Sequence, residues 1–171
     1  MTRSAQLVVL CLLIFLSGPR GGLAGPLDFS SNDTVTVTAE RAWEADEDDV
    51  IHFSGRFELH APDWSLFGDS AVVYGKLDDP ERVVVEGSPA RIAFLRAAQS
   101  DDDAEPERVD GEAAYVEYFR STDRLIMRGA ASLVRKDSTL VSEVIEYDVE
   151  VDRYSASGEG GIQVQFSPED D

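Results

Sequence analysis

Cysteine is nearly absent from this 171-residue chain: Cys11 is the single thiol, and it sits inside an apolar run near the N-terminus. If that run is removed as a leader, no internal disulfide can form, and the remainder must fold on its apolar core alone. Histidine is almost as scarce. His52 and His60 have no cysteine and no second histidine at ligand spacing, which argues against a transition-metal site. Basic residues number 15 against 34 acidic ones, a formal net charge of −19. A surface of that sign repels phosphate backbones, so nucleic acid is excluded as a partner, and adsorption on anionic membranes is disfavoured. There is no nucleophile elbow. The glycine-rich Gly158-Glu159-Gly160-Gly161 lacks the lysine and the strand-to-helix setting of a phosphate loop. With 34 acids, a pair of carboxylates carries little information. The chain does not read as an enzyme, and no cofactor or metal is expected.

What the sequence does contain begins with a leader. Arg3 supplies a positive start, residues 7–16 are ten consecutive apolar residues, and Gly22-Leu23-Ala24 offers small residues at a cleavage point. Ten residues are too few to span a bilayer, which takes about 20. Residues 1–24 therefore read as a cleaved secretory signal. An uncleaved anchor is the alternative, and a lipoprotein at Cys11 is disfavoured by the bulky Leu10 before it. Cleavage leaves 13 basic against 34 acidic residues, a net charge of −21. About 145 residues remain, enough for one domain with its own core.

The body of the chain alternates. In Val50-Ile51-His52-Phe53-Ser54-Gly55-Arg56-Phe57-Glu58-Leu59 the odd positions are apolar and the even ones mostly polar, apart from Gly55. A period of two puts one face of a strand in the core and the other in water. A glycine inside such a strand marks a bend or a close backbone approach. The phrase recurs around Gly87, Gly129 and Gly158, at spacings of 32, 42 and 29 residues. Between these glycines falls a second phrase, a small residue, an acid and then a tyrosine: Gly68-Asp69 with Tyr74, Gly111-Glu112 with Tyr118, Ser142-Glu143 with Tyr147. Gly55 to Gly68 and Gly129 to Ser142 are both 13 residues, whereas Gly87 to Gly111 is 24 because an acidic insertion intervenes. Repetition on this scale predicts stacked hairpin units, none able to bury its apolar face alone.

Turn residues divide the chain into short strands and give an all-β fold. Residues 25–33 read as a flexible lead and 34–166 as the domain. Thr34-Val35-Thr36-Val37-Thr38 is the expected first strand, continued through residues 39–45. Residues 75–80 are expected to turn. Residues 99–107 hold a dense acidic run with no apolar period, read as a solvated loop. A calcium site there is disfavoured, because the run lacks the spacing of an EF-hand. Gly160 to Phe166 is the expected last strand, and residues 167–171 an acidic tail. No segment after the leader keeps a helical period for three turns.

The ordered set Ile51-x-Phe53-x-Gly55-x-Phe57-x-Leu59, Val85-x-Gly87-Ser88-Pro89-Ala90, Val109-Asp110-Gly111-Glu112-Ala113, Leu125-x-Met127-x-Gly129-x-Ala131-x-Leu133, Ile145-x-Tyr147-Asp148 and Ala156-x-Gly158 resembles the OstA-like family, and within it the LptA type. The resemblance covers residues 34–166. It implies a V-shaped, partly open β-jellyroll of antiparallel strands in the periplasm. It implies that lipopolysaccharide is carried with its lipid A acyl chains in an apolar groove. It further implies edge-to-edge self-association, an LptC-like inner-membrane partner and an LptD-like outer-membrane translocon. A membrane-anchored LptC-like relative and a non-transporting envelope scaffold are the alternatives. Groove positions expected on this reading are Phe53, Phe57, Leu66, Val72, Tyr74, Val85, Phe94, Val116, Tyr118, Leu125, Met127, Leu133 and Tyr147. Edge contacts are expected from Thr34, Val35, Thr36, Val37, Ile162, Val164 and Phe166. The strong negative charge predicts that a phosphorylated head group stays outside the groove, near divalent cations or the few arginines.

Overall fold

A computed structural model describes residues 34–45, 49–77, 79–96, 106–136 and 138–166. The expected signal, the lead, most of the acidic loop and the tail lie outside these residues. Ten strands form one antiparallel sheet: β1 (Thr36–Thr38), β2 (Arg41–Glu44), β3 (Val50–His60), β4 (Trp64–Lys76), β5 (Asp79–Arg96), β6 (Glu107–Phe119), β7 (Arg124–Arg135), β8 (Ser138–Asp148), β9 (Arg153–Ser157) and β10 (Gln163–Phe166). Strands β3 to β8 follow one another as hairpins, each paired with the next. The sheet does not close on itself: β1 and β2 flank β3 at one end, and β9 and β10 flank β8 at the other.

Every pairing among the long strands slips in register near its middle, between Ser54 and Phe57, Phe67 and Ser70, Glu86 and Ala90, Glu112 and Tyr115, and Arg128 and Ala131. A bulge adds a residue on one strand, bends it and tightens its twist. The recurring glycines lie on this line. Gly55 and Gly129 have φ of +78° and +82°, a region that side chains resist, and Arg56 and Ala130 follow them into it. Gly87 leads into the cis Ser88–Pro89 bond, within the slip between Glu86 and Ala90. The repeat in the sequence is therefore the fold line of the sheet.

Folding along that line makes two layers of eight strands. Layer one runs β2-β3-β4-β5-β6-β7-β8-β9, using the strand segments next to the turns at residues 44–50, 76–79, 119–124 and 148–153. Layer two runs β1-β3-β4-β5-β6-β7-β8-β10, using the opposite halves of the same long strands. Strands β5 and β8 stand three positions apart, about 14 Å in a flat sheet. Yet the Phe94 and Tyr147 rings lie 6.3 Å apart, which only face-to-face packing of the layers allows. Residues 39–45 do not simply prolong the first strand. Glu40 donates its backbone N–H to Gly55 O, and the chain passes from β1 in layer two to β2 in layer one. The turn expected at 75–80 is tighter, because β4 runs to Lys76 and β5 begins at Asp79.

Candidate functional site

Between the layers lies one apolar cluster. Eleven of the expected groove positions are buried in it: Phe53, Phe57, Leu66, Val85, Phe94, Val116, Tyr118, Leu125, Met127, Leu133 and Tyr147. Leu59, which the alternation already put on the core face, joins them, as do Trp64, Val73, Ile92, Val109, Leu140 and Ile145, none of which was among the expected groove positions. Val72 and Tyr74 do not. They are half-buried on the outer face of layer one, where Val72 pairs with His52 and Val84, and the Arg82 guanidinium sits 4.2 Å above the Tyr74 ring. The bulge between Phe67 and Ser70 is the cause: it shifts the alternation, so that Ala71 and Val73 point inward instead. The histidines also stay outside. His52 stacks on Trp43 at 5.2 Å and His60 meets the edge of Phe67 at 5.0 Å.

The sheet is open, but its interior is filled by its own side chains. Phe57, Leu66, Phe94 and Tyr147 are at most 2% exposed. A cavity of about 540 Å³ lies instead in a trough on the outer face of layer two, beside Phe67, Arg91 and Val134. An apolar chain could enter this interior only by parting the layers, and each methylene it buried there would contribute about 0.8 kcal/mol.

Strands β1 and β10 lie at the two ends of layer two, and β2 and β9, which were not expected as edges, at the two ends of layer one. Val37 lies in β1 opposite Leu59, and Val164 in β10 opposite Leu140. Thr36 is exposed at the other face of β1, and Thr34 and Val35 lead into that strand. At the far end Ile162, Val164 and Phe166 are exposed, Phe166 to 72%.

Where the layers meet opposite the fold line, the turn tips carry charge. Arg96 and Glu107 face each other across β5 and β6 and form an ion pair within layer two. Glu107 is thus a buried strand residue, not part of a solvated loop, because Arg96 neutralises it. Asp152 comes from the β8–β9 turn of layer one. Its carboxylate lies 3.0 Å from Arg96 Nη1, accepts a hydrogen bond from Arg135 and accepts another, at 2.7 Å, from the Tyr147 hydroxyl. The Arg135 guanidinium also stands 5.5 Å from the Tyr154 ring of β9. Burial works against the charge of Arg135, but Asp152 and Tyr147 together outweigh it and raise the pKa. Burial first, and Asp152 next, push the Tyr147 hydroxyl far above the usual phenol range, so it remains a donor. A second cluster lies on the outer face of layer one, where Glu117 is buried between Arg82 at 3.1 Å and Arg128 at 3.1 Å.

The sheet is thus open, antiparallel and folded in two layers over one apolar interior. The family model described as LptA/(LptD N-terminal domain) LPS transport protein matches residues 36–153. The chain belongs to this family. Among solved structures, the crystal structure of LptH from Pseudomonas aeruginosa, the LptA-homologous periplasmic component of the lipopolysaccharide transport device, superposes with a TM-score of 0.67. The match covers 79% of this chain and 96% of that one at 19% identity, a likeness of fold. None of the curated proteins matches this chain. The LptA-type fold expected from the sequence is thus the fold observed, and the family is one of transport proteins.

Proposed function

We propose that this protein is a periplasmic carrier of lipopolysaccharide. It takes the acyl chains of lipid A between its two layers and links the inner to the outer membrane during outer-membrane assembly. The observation that carries this reading is the join of an open sheet to an unbroken apolar interior. The interior extends from the β3 end to the β8 end, and each end presents short strands whose outer edges have no strand partner among the described residues. Neighbouring copies add at those ends, and so do an LptC-like inner-membrane protein and an LptD-like outer-membrane protein. Residues 1–24 direct the chain across the inner membrane and are removed.

Site-specific photo-crosslinking in cells tests the reading. A crosslinker at Phe94 or Tyr118, inside, captures lipopolysaccharide, whereas one at Glu58, on the outer face, captures none. Equal capture at all three positions, or capture at none, defeats the assignment.

A further inference from the structure

We propose that the cluster of Arg96, Arg135 and Asp152 is an anion-exchange site: the phosphoryl group of a glycolipid replaces the Asp152 carboxylate on the two arginines, and the layers part there. This inference rests on the carrier reading above and adds a head-group site to it.

Charge is the first argument. The chain carries −19, yet among the described residues a cavity of about 230 Å³ at this margin is lined by three cations, Arg96, Arg135 and Lys136, against two carboxylates, Glu107 and Asp152. Geometry is the second. Glu107 pins Arg96 from within the same layer, so the guanidinium stays in place when Asp152 leaves. Arg96 Nε has no hydrogen-bond partner among the described residues. Nη1 is close to Asp152 but badly angled, an ion pair and not a hydrogen bond. Glu107 Oε1 also lacks a partner, and its charge is balanced by Arg96. A phosphoryl group brings nearly two negative charges and three acceptor oxygens. It can satisfy Arg96 and Arg135 together, in the bidentate manner guanidinium favours.

Position is the third argument. Arg96 is two residues beyond Phe94 on the same strand, and the Tyr147 hydroxyl that reaches Asp152 belongs to a ring packed near Phe94. A phosphate held here sits at the rim of the apolar interior, one step from where tails would lie. Because Asp152 comes from layer one and Arg96 and Arg135 from layer two, exchanging the carboxylate for a ligand removes a tie between the layers. The charge that docks the lipid also makes room for its chains.

The test measures binding of the purified protein to lipid A, to the same lipid stripped of its phosphates, and to inorganic phosphate. The unsubstituted protein is expected to prefer lipid A to its dephosphorylated form by about tenfold or more. Combined Arg96→Gln and Arg135→Gln substitution abolishes that preference, while the dephosphorylated lipid binds as well as before or better. Asp152→Asn tightens both lipids and keeps the ratio. Arg135→Gln alone, which leaves the Arg96–Glu107 pair intact, shrinks the ratio and serves if the double variant does not fold. Equal affinity for both lipids in the unsubstituted protein overturns the proposal, as does a ratio untouched by the arginine substitutions. Inorganic phosphate binding as tightly as lipid A also overturns it, by making this a free-phosphate site. If neither lipid binds, the carrier reading itself falls and this one with it.

Discussion

The two long margins of the sandwich are built in opposite ways. Along one, six strands pass from layer to layer through bulges, so the join is covalent and its chemistry is glycine and small residues. Along the other, turn tips face each other, and Arg96, Arg135 and Tyr147 meet Asp152. The first margin cannot separate without unfolding. The second is joined by side chains alone, so on the anion-exchange proposal it opens when those polar contacts are exchanged for a ligand's. Bending is confined to one side and the side-chain ties to the other.

Three changes sharpen that contrast. The largest effect belongs to the fold line. Gly129→Val forces a β-branched side chain into φ +82°, with its Cβ 2.9 Å from that of Ala114. A loss of about 3 kcal/mol is expected in urea unfolding, while Gly160→Ala, with nothing within 4 Å, stays near the parent protein. At the open margin, Asp152→Asn leaves Arg96 and Arg135 without their shared counter-charge. It should lower stability by about 1–2 kcal/mol and speed hydrogen exchange in the β8–β9 turn more than at the bulges. Equal acceleration at both margins would erase the distinction between them. The smallest effect is alkaline. The Tyr147 hydroxyl titrates higher in the folded chain than the 10.0 of a free phenol. Below pH 10 both states keep the proton. Above it the unfolded chain loses it first, so stability falls as pH rises. Tyr147→Phe should flatten that decline in thermal melts taken between pH 9 and 11.

Much of this fold could be read from alternation. Phe53, Phe57, Phe94, Tyr118 and Met127 sit in strands whose polar and apolar positions separate cleanly, and all five are interior. The glycine repeat located the bends, although not that they would align into a single crease. Ala71-Val72-Val73-Tyr74 was opaque, because it is apolar on both faces. Counting by twos from Leu66 reaches 72 and 74, and the bulge at 67–70 moves the inward positions to 71 and 73. The charged margin left no local trace at all. Arg96, Glu107, Arg135 and Asp152 come from three separate turns, and only the folding of the sheet gathers them. Glu107 closed an acidic run in the sequence, where nothing distinguishes a paired carboxylate from a solvated one. The sequence pointed to its first and last alternating segments as edges but not to Arg41–Glu44 and Arg153–Ser157, which end the other layer, because only the crease makes a second pair of ends.

Eight strands per layer also make the molecule a ruler. Adjacent strands stand about 4.8 Å apart, so one copy measures roughly 38 Å from its first edge to its last. An assembly grown by adding strands at those edges lengthens only in whole steps of that size. On the proposed bridging role, the gap between two membranes would be matched by counting copies, not by stretching any of them.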